Sequence, residues 1–405
     1  MTSAKKGADP FCHLSILSSR KVKTTPRSAP EVWSNQPTGL PELDGPQVLS
    51  GSVKRSFLSL KKGRKRVHLP FRAFFFLVLA FPCWSGASRF AEAAETSALE
   101  RYEASASVMG STFTVAGYGK QRAHVASAVR AAFDEARRID AFLSNYRPES
   151  ELSRINEHAS REPVPLSEEM TVLLEQCLSY SRQSEGGFDI TVGPLMEVWG
   201  FFKGTGSLPG TFTLSRAKGK IGYQYLELDA KQRSIRFRRA GMKLDPGGIG
   251  KGYAVDRMVE VLRRWEVERA FISAGSSSLY ALGSPPDEPR GWYVRIQHPK
   301  NHEIAAAEVY LKDQSLSTSG FYEKFFEAGG KTYSHIMDPR TGMPSEGVLT
   351  VSVVSEAAID SEAWSTGFYV NGPDWTRRHK RKDFRVFMCT ALDACGWIDG
   401  ASQPN

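Results

Sequence analysis

Between residues 225 and 392 the sequence returns repeatedly to short alternating or β-branched runs: YLELD, SIRFRR, RAFISAG, WYVRIQHP, AEVYL, LTVSVVSE and a closing FRVFMCTAL. Runs of this kind fit half-buried strands. They come in groups separated by single helices. One helix follows GGIGKG directly and runs to about Trp265, with Met258, Val261 and Leu262 on its apolar side. Upstream, Val125, Val129, Phe133, Ala136, Ile139 and Leu143 recur at helical spacing and predict a helix over 121–143, and a second is predicted over 167–184. Before them, VMGSTFTVAGYG is strand-like and ends in glycines. This grouping predicts an α+β fold with mixed, largely antiparallel sheets and packed helices, rather than a doubly wound sheet. With no internal repeat after residue 94, one large domain from about 100 to 400 is expected.

The formal net charge of +9 suggests a nucleic-acid or membrane partner until it is located. Residues 1–66 hold thirteen Lys/Arg against four Asp/Glu, while residues 94–405 hold 38 basic and 39 acidic side chains. The segment that folds is near neutral, so nucleic acid is not an expected partner. The cluster Lys61, Lys62, Arg64, Lys65, Arg66 precedes the apolar run AFFFLVLAFPCW and then Ala91-x-Ala93. A charged region, a short apolar stretch and small residues at −3 and −1 make residues 61–93 a secretory signal, and the run is short for a bilayer span. Residues 1–60 are expected to be a disordered extension or to precede the true start. Export across the inner membrane to the periplasm follows as an expectation, with or without a membrane tether. Cys177 falls on an apolar helix face and is expected in the core, and Cys389 and Cys395 can pair in an oxidising compartment without their spacing demanding it.

Three segments carry candidate chemistry. LDPGGIGKGYAVD, 244–256, clusters glycines between a strand end and a helix start, where backbone amides can meet a phosphate, although the glycines equally suit a tight turn. It is neither a P-loop nor G-x-G-x-x-G. YSHIMDPRTGMP, 333–344, carries His335 before a PRTG turn, where a hydrogen-bonded structural histidine is the plainer reading. In AAIDSEAWSTGFYVNG, 357–372, Glu362 and Thr366 share a face if the segment is helical, a plausible magnesium corner or simply a capped helix with a solvated acid. GGFDITVGPLMEVWGF, 186–201, reads by itself as a turn into a strand. No G-x-S-x-G is present.

In order along the chain, MGSTFTV, LSNYRPESELSRIN, GGFDITVGPL, LDPGGIGKGYAVD, SLSTSGFYEKFFEAGGKTYSHIMDPRTG and SEAWSTGFYVNG resemble the ApbE family of FAD:protein FMN transferases. The resemblance implies a domain that holds FAD bent in a cleft. It implies FAD contacts at Met109, Tyr146, Gly187, Phe188, Asp189, Gly247, Tyr253 and Ile336, and Mg2+ ligands at the Gly250 carbonyl, Glu362 and Thr366. It further implies that a Thr or Ser hydroxyl of an acceptor flavoprotein subunit, of a membrane redox complex, attacks the FMN-side phosphorus and AMP leaves. His335 is the candidate base, and Lys251 a candidate to offset pyrophosphate charge. Two departures stand out: Glu362 replaces the family's usual Asp, with Asp360 nearby, and Gly275-Ser276-Ser277-Ser278 replaces paired glycines. The alternatives are an FAD pyrophosphatase giving FMN and AMP, or a non-catalytic exported FAD-binding protein.

Overall fold

The computed structural model describes residues 98–398 apart from Ser276 and His302, so the predicted extension over 1–60 and signal over 61–93 lie outside the described residues. The described chain opens on a hairpin, β1 (Glu100–Val108) and β2 (Ser111–Gly119), with Met109 and Gly110 in its turn at φ 50° and 67°. Positive φ at both turn residues matches the right-handed twist of the strands. The stretch read as one strand-like piece is therefore the end of β1, the turn and β2.

Next come α1 (Arg122–Phe142), α2 (Glu151–His158), β3 (Val164–Pro165), α3 (Glu168–Gln183), α4 (Gly193–Val198) and α5 (Thr211–Lys218). The predicted helices over 121–143 and 167–184 are α1 and α3. Helix α4 corrects the expectation of a strand after GGFDITV. Pro194 sits in its first turn, where the missing N–H costs nothing, and Leu195 is buried. The chain continues through β4 (Leu226–Asp229), β5 (Ser234–Phe237), α6 (Gly250–Arg264), β6 (Arg269–Ala274), β7 (Ser278–Leu282), β8 (Trp292–Gln297) and β9 (Ala305–Leu311). It ends with β10 (Gln314–Gly320), β11 (Phe325–Ala328), β12 (Lys331–Ser334), β13 (Thr350–Ser355), α7 (Ala358–His379), β14 (Arg385–Ala391) and β15 (Ala394–Trp397).

Eight strands form the main sheet in the order β1-β2-β6-β7-β10-β13-β14-β15, and every pairing in it is antiparallel. Alternation along the strands sends Tyr280, Leu282, Val351, Val353, Val386 and Met388 to one face and Leu279, Ala281, Leu316, Val354 and Phe387 to the other. The first face packs on α1, α6 and α7, and the second on the β8–β9 ribbon through Trp292, Val294 and Val309. A smaller apolar cluster joins Leu195, Trp199, Ala217, Phe326 and Met337, from α4 and the residue after it, α5, β11 and the turn after β12. Cys389 and Cys395 face each other across β14–β15 and are joined as a disulfide, and Cys177 is buried in the core. Among the described residues no helix is long and apolar enough to cross a membrane.

Helix α7 lies on β10 through hydroxyls. Ser315 and Ser317 meet the Ser361 hydroxyl at 2.9 and 2.8 Å, and Ser319 meets Ser365 at 2.8 Å. Small side chains on both partners let the helix approach the sheet closely. The helix breaks at Gly372, φ 77°, just before Pro373.

Candidate active site

The glycine loop is fixed from outside before α6 begins. The Asn156 side chain accepts from the Leu244 N–H at 2.6 Å and donates to the Leu244 carbonyl at 3.0 Å. Asp245 is buried; its N–H donates to the Ile190 carbonyl at 2.7 Å and its carboxylate accepts from the Gly247 N–H at 2.9 Å. The result is a tight turn over Pro246–Gly248 that feeds α6. Helix α6 has no side-chain cap of its own at Ile249. A helix start of this kind offers N–H groups and partial positive charge to an anion.

Helix α7 brings its chemistry to that loop. Glu362 and Thr366, one turn apart, lie on the face toward it, as the i, i+4 spacing predicts. The Gly252 N–H donates to Glu362 Oε2. A Cβ at Gly252 would stand 2.3 Å from the Ala358 carbonyl and 3.0 Å from Glu362 Oε2, so only glycine allows the two helices to touch here. A Cβ at Gly248 would stand 3.4 Å from Thr366 Oγ1, which is itself 3.4 Å from the Glu362 carbonyl and 3.5 Å from Ser319 Oγ. The acid and the alcohol thus meet the loop on either side of Gly250, whose carbonyl was the third expected ligand. A carboxylate, a hydroxyl and a carbonyl supply only oxygen, which suits Mg2+. Asp360 turns the other way and accepts a 2.7 Å hydrogen bond from Tyr180, so Glu362 is the acid at this corner.

Burial pushes the Glu362 carboxyl up to about 7, against the opposing pull of Lys251. Lys251 donates to the Ser277 hydroxyl, in the loop between β6 and β7.

His335 follows β12, directly across the β11–β12 hairpin from Lys324. Both its backbone N–H and its ring Nδ1 reach the Lys324 carbonyl, at 3.0 and 3.1 Å. A carbonyl can only accept, so Nδ1 carries the proton and Nε2 keeps a lone pair. His335 is only partly buried; desolvation, with the charges of Lys324 and Lys251 adding to it, holds the imidazole below its ordinary value. His335 is therefore neutral at pH 7, with Nε2 as its acceptor nitrogen. Phe201 meets its ring edge-on, centroids 6.3 Å apart.

The residues that the resemblance placed against FAD fall into two kinds. Met109, in the first turn, lies with its Cε 3.1 Å from where a Cβ on Gly250 would be. Tyr146 is 72% exposed, meets Phe202 edge-on, and lines a cavity of about 300 Å³ with Asn156, Phe202 and Leu244. Phe188 is buried, its ring against Gly248, and Gly187 presses on α7, where a Cβ would be 2.5 Å from Asn371 Nδ2. Gly247 and Ile336 sit at the two turns, and the Ile336 carbonyl accepts from Ser345 at 2.8 Å. The side chains of Asp189 and Tyr253 are otherwise engaged. Asp189 is buried and accepts from the Thr191 N–H and hydroxyl and from the Tyr223 N–H, at 2.8, 2.7 and 2.9 Å. The Tyr253 hydroxyl donates to Glu169 at 2.7 Å, in a charged cluster with Arg138, Glu135 and Arg257 that ties α1, α3 and α6 together. A wider groove of about 660 Å³ beside that cluster, lined by His124, Arg138 and Trp265, contains none of the predicted site residues.

Sequence reasoning passed over Asn156, Lys324 and Asp256. Their partners are 88, 11 and 102 residues away along the chain. Only the Lys324 contact had a local signal, since a hairpin brings residues at that separation face to face.

Known proteins resemble this chain in sequence and in fold. The family described as "ApbE family" matches residues 109–388. The FAD:protein FMN transferase of Escherichia coli K12 is 33% identical over 260 residues, 62% of this chain and 73% of that protein. The FAD:protein FMN transferase of Treponema pallidum is 29% identical over 289 residues, 68% of this chain and 80% of its own. Among solved structures, an ApbE protein from Thermotoga maritima superposes with a TM-score of 0.66 at 28% identity, covering 71% of this chain and 94% of that one. The flavin transferase ApbE from Vibrio cholerae gives 0.65 at 25% identity, covering 73% and 96%. The chain belongs to the ApbE family.

Proposed function

We propose that this chain is an exported, magnesium-dependent enzyme that transfers the FMN half of FAD onto a Thr or Ser hydroxyl of an acceptor flavoprotein, releasing AMP. The acceptor is a subunit of a membrane redox complex, met on the periplasmic side. The observation that carries this reading is the meeting of Glu362 and Thr366 with the Gly248–Gly252 loop, whose Lys251 is close enough to His335 for its charge to act on the imidazole.

The chemistry asks for placement and charge neutralisation more than for covalent help. The Gly250 carbonyl, Glu362 and Thr366 would hold Mg2+, which when bound offsets charge on the diphosphate and steadies the leaving phosphate. The N-terminus of α6 and Lys251 add positive potential on the same side. Met109, Tyr146, Gly187, Phe188, Gly247 and Ile336 form the walls for FAD; Asp189 and Tyr253 shape those walls from behind, through the bonds described above. The acceptor oxygen attacks the FMN-side phosphorus as the bond from that phosphorus to the oxygen of the AMP phosphate breaks. His335 Nε2 takes the hydroxyl proton, and the leaving AMP carries the electron pair.

Co-expression with a Thr-containing acceptor, followed by intact-mass measurement, tests the reading. An acceptor heavier by one FMN is the expected result. Free FMN and AMP formed equally fast with and without acceptor would instead make this chain a pyrophosphatase.

A further inference from the structure

Helix α7 begins without a cap of its own. Its N-cap residue is Ala357, which has no side-chain acceptor. Its first N–H groups are instead satisfied from α6: Asp256 Oδ1 accepts from Ala358 N–H at 2.7 Å and Oδ2 from Ile359 N–H at 2.8 Å. One carboxylate thus closes the start of another helix with both its oxygens. One turn back along α6, Gly252 touches the Ala358 carbonyl and donates to Glu362. The two helices are therefore joined at successive turns of α6, the first by backbone contact and the second by Asp256.

We propose that Asp256 is a positioning residue that clamps the first turn of α7 onto α6 and so sets Glu362 and Thr366 in register with the Gly248–Gly252 loop. The proposal rests on the metal reading given above. An ordinary helix cap would stabilise α7 wherever the helix lay. A cap borrowed from the helix that carries the opposing ligand carbonyl also fixes the spacing between the two halves of the donor set. Groups that orient ligands from behind change metal affinity by about 10–100-fold when removed.

The experiment separates clamp from cap. Ala357 has extended backbone angles, φ −102° and ψ 143°, suited to an N-cap Ser. Mn2+ is titrated, with FAD present, into the full chain and its variants, and free Mn2+ is read by electron paramagnetic resonance. Asp256→Ala is expected to weaken Mn2+ binding by about 10–100-fold. Asp256→Asn keeps one acceptor and should fall between it and the wild type. Asp256→Ala combined with Ala357→Ser supplies a local cap, so its denaturation midpoint should recover while its Mn2+ affinity stays low. Recovery of both would reduce Asp256 to a cap and overturn the proposal, as would unchanged affinity in a folded Asp256→Asn. A wild-type chain that takes up no Mn2+ would overturn the metal reading itself, a result distinguishable from both.

Discussion

Both faces of the eight-stranded sheet bury apolar side chains, but the two sides of β10 are built by different rules. Toward the β8–β9 ribbon it presents Leu316, packed among Leu279, Trp292, Val309 and Phe387. Toward α7 it presents Ser315, Ser317 and Ser319, hydrogen-bonded to Ser361 and Ser365. Apolar contact scales with buried area and has little direction, so it holds without fixing where a neighbour sits along its axis. A hydroxyl bond is directional over a few tenths of an ångström, and a satisfied row of them locates a helix lengthwise. Glu362 and Thr366 ride on the helix so located. The lesson is a division of labour within β10: Leu316 on one side adds apolar burial, and the serines on the other locate the helix that carries the candidate ligands.

The largest effects should come from the ligands. Thr366→Ala or Glu362→Ala should abolish FMN transfer while FAD binding, followed by flavin fluorescence, persists; full turnover in either would remove the metal corner. His335→Ala should slow transfer by about 10²–10⁴-fold in single-turnover assays if the imidazole takes the proton. A loss of only a few-fold would make it a structural residue.

The contrast between faces sharpens with paired substitutions on β10. Leu316→Ala should cost about 2–5 kcal/mol in urea unfolding and leave the Mg2+ dependence of turnover unchanged. Ser317→Ala should cost about 1 kcal/mol yet raise the Mg2+ concentration needed for half-maximal rate. If the leucine variant shifts the metal requirement and the serine variant does not, the division of labour is wrong.

A pH effect is the subtlest. Glu362 keeps its proton up to about pH 7 when folded, against an ordinary value of 4.5, so between these values the native state binds the extra proton. Metal-free stability should then fall as pH rises through that window, by on the order of 1–3 kcal/mol. Glu362→Gln should flatten the fall and exceed the wild type in stability at pH 8, measured by urea unfolding with chelator present.

Much of the scaffold was legible because it obeys simple periods. Helices α1, α3 and α6 repeat apolar residues at helical spacing, and β4, β5, β6, β8, β9, β13 and β14 are rich in β-branched or alternating residues. Strand β10 was not read, because QSLSTSG carries almost nothing that marks a strand; its hydroxyls make sense only against α7. Helix α2 was passed over, although Ser150 caps it, because eight residues are too few to show a period. At the candidate site, the spacing of Glu362 and Thr366 was visible in one segment. The grip of Asp256 on Ala358 was not, since nothing local in either segment announces a partner 102 residues away.

The imidazole of His335 is held by a main-chain oxygen, that of Lys324, and not by a side chain. Mutation cannot delete that oxygen, so the tautomer belongs to the hairpin and survives any residue at 324 that keeps the turn. The ammonium at that position is then a separate control. Evolution, or an engineer, can change it to raise or lower the proton affinity of the ring without loosening its grip.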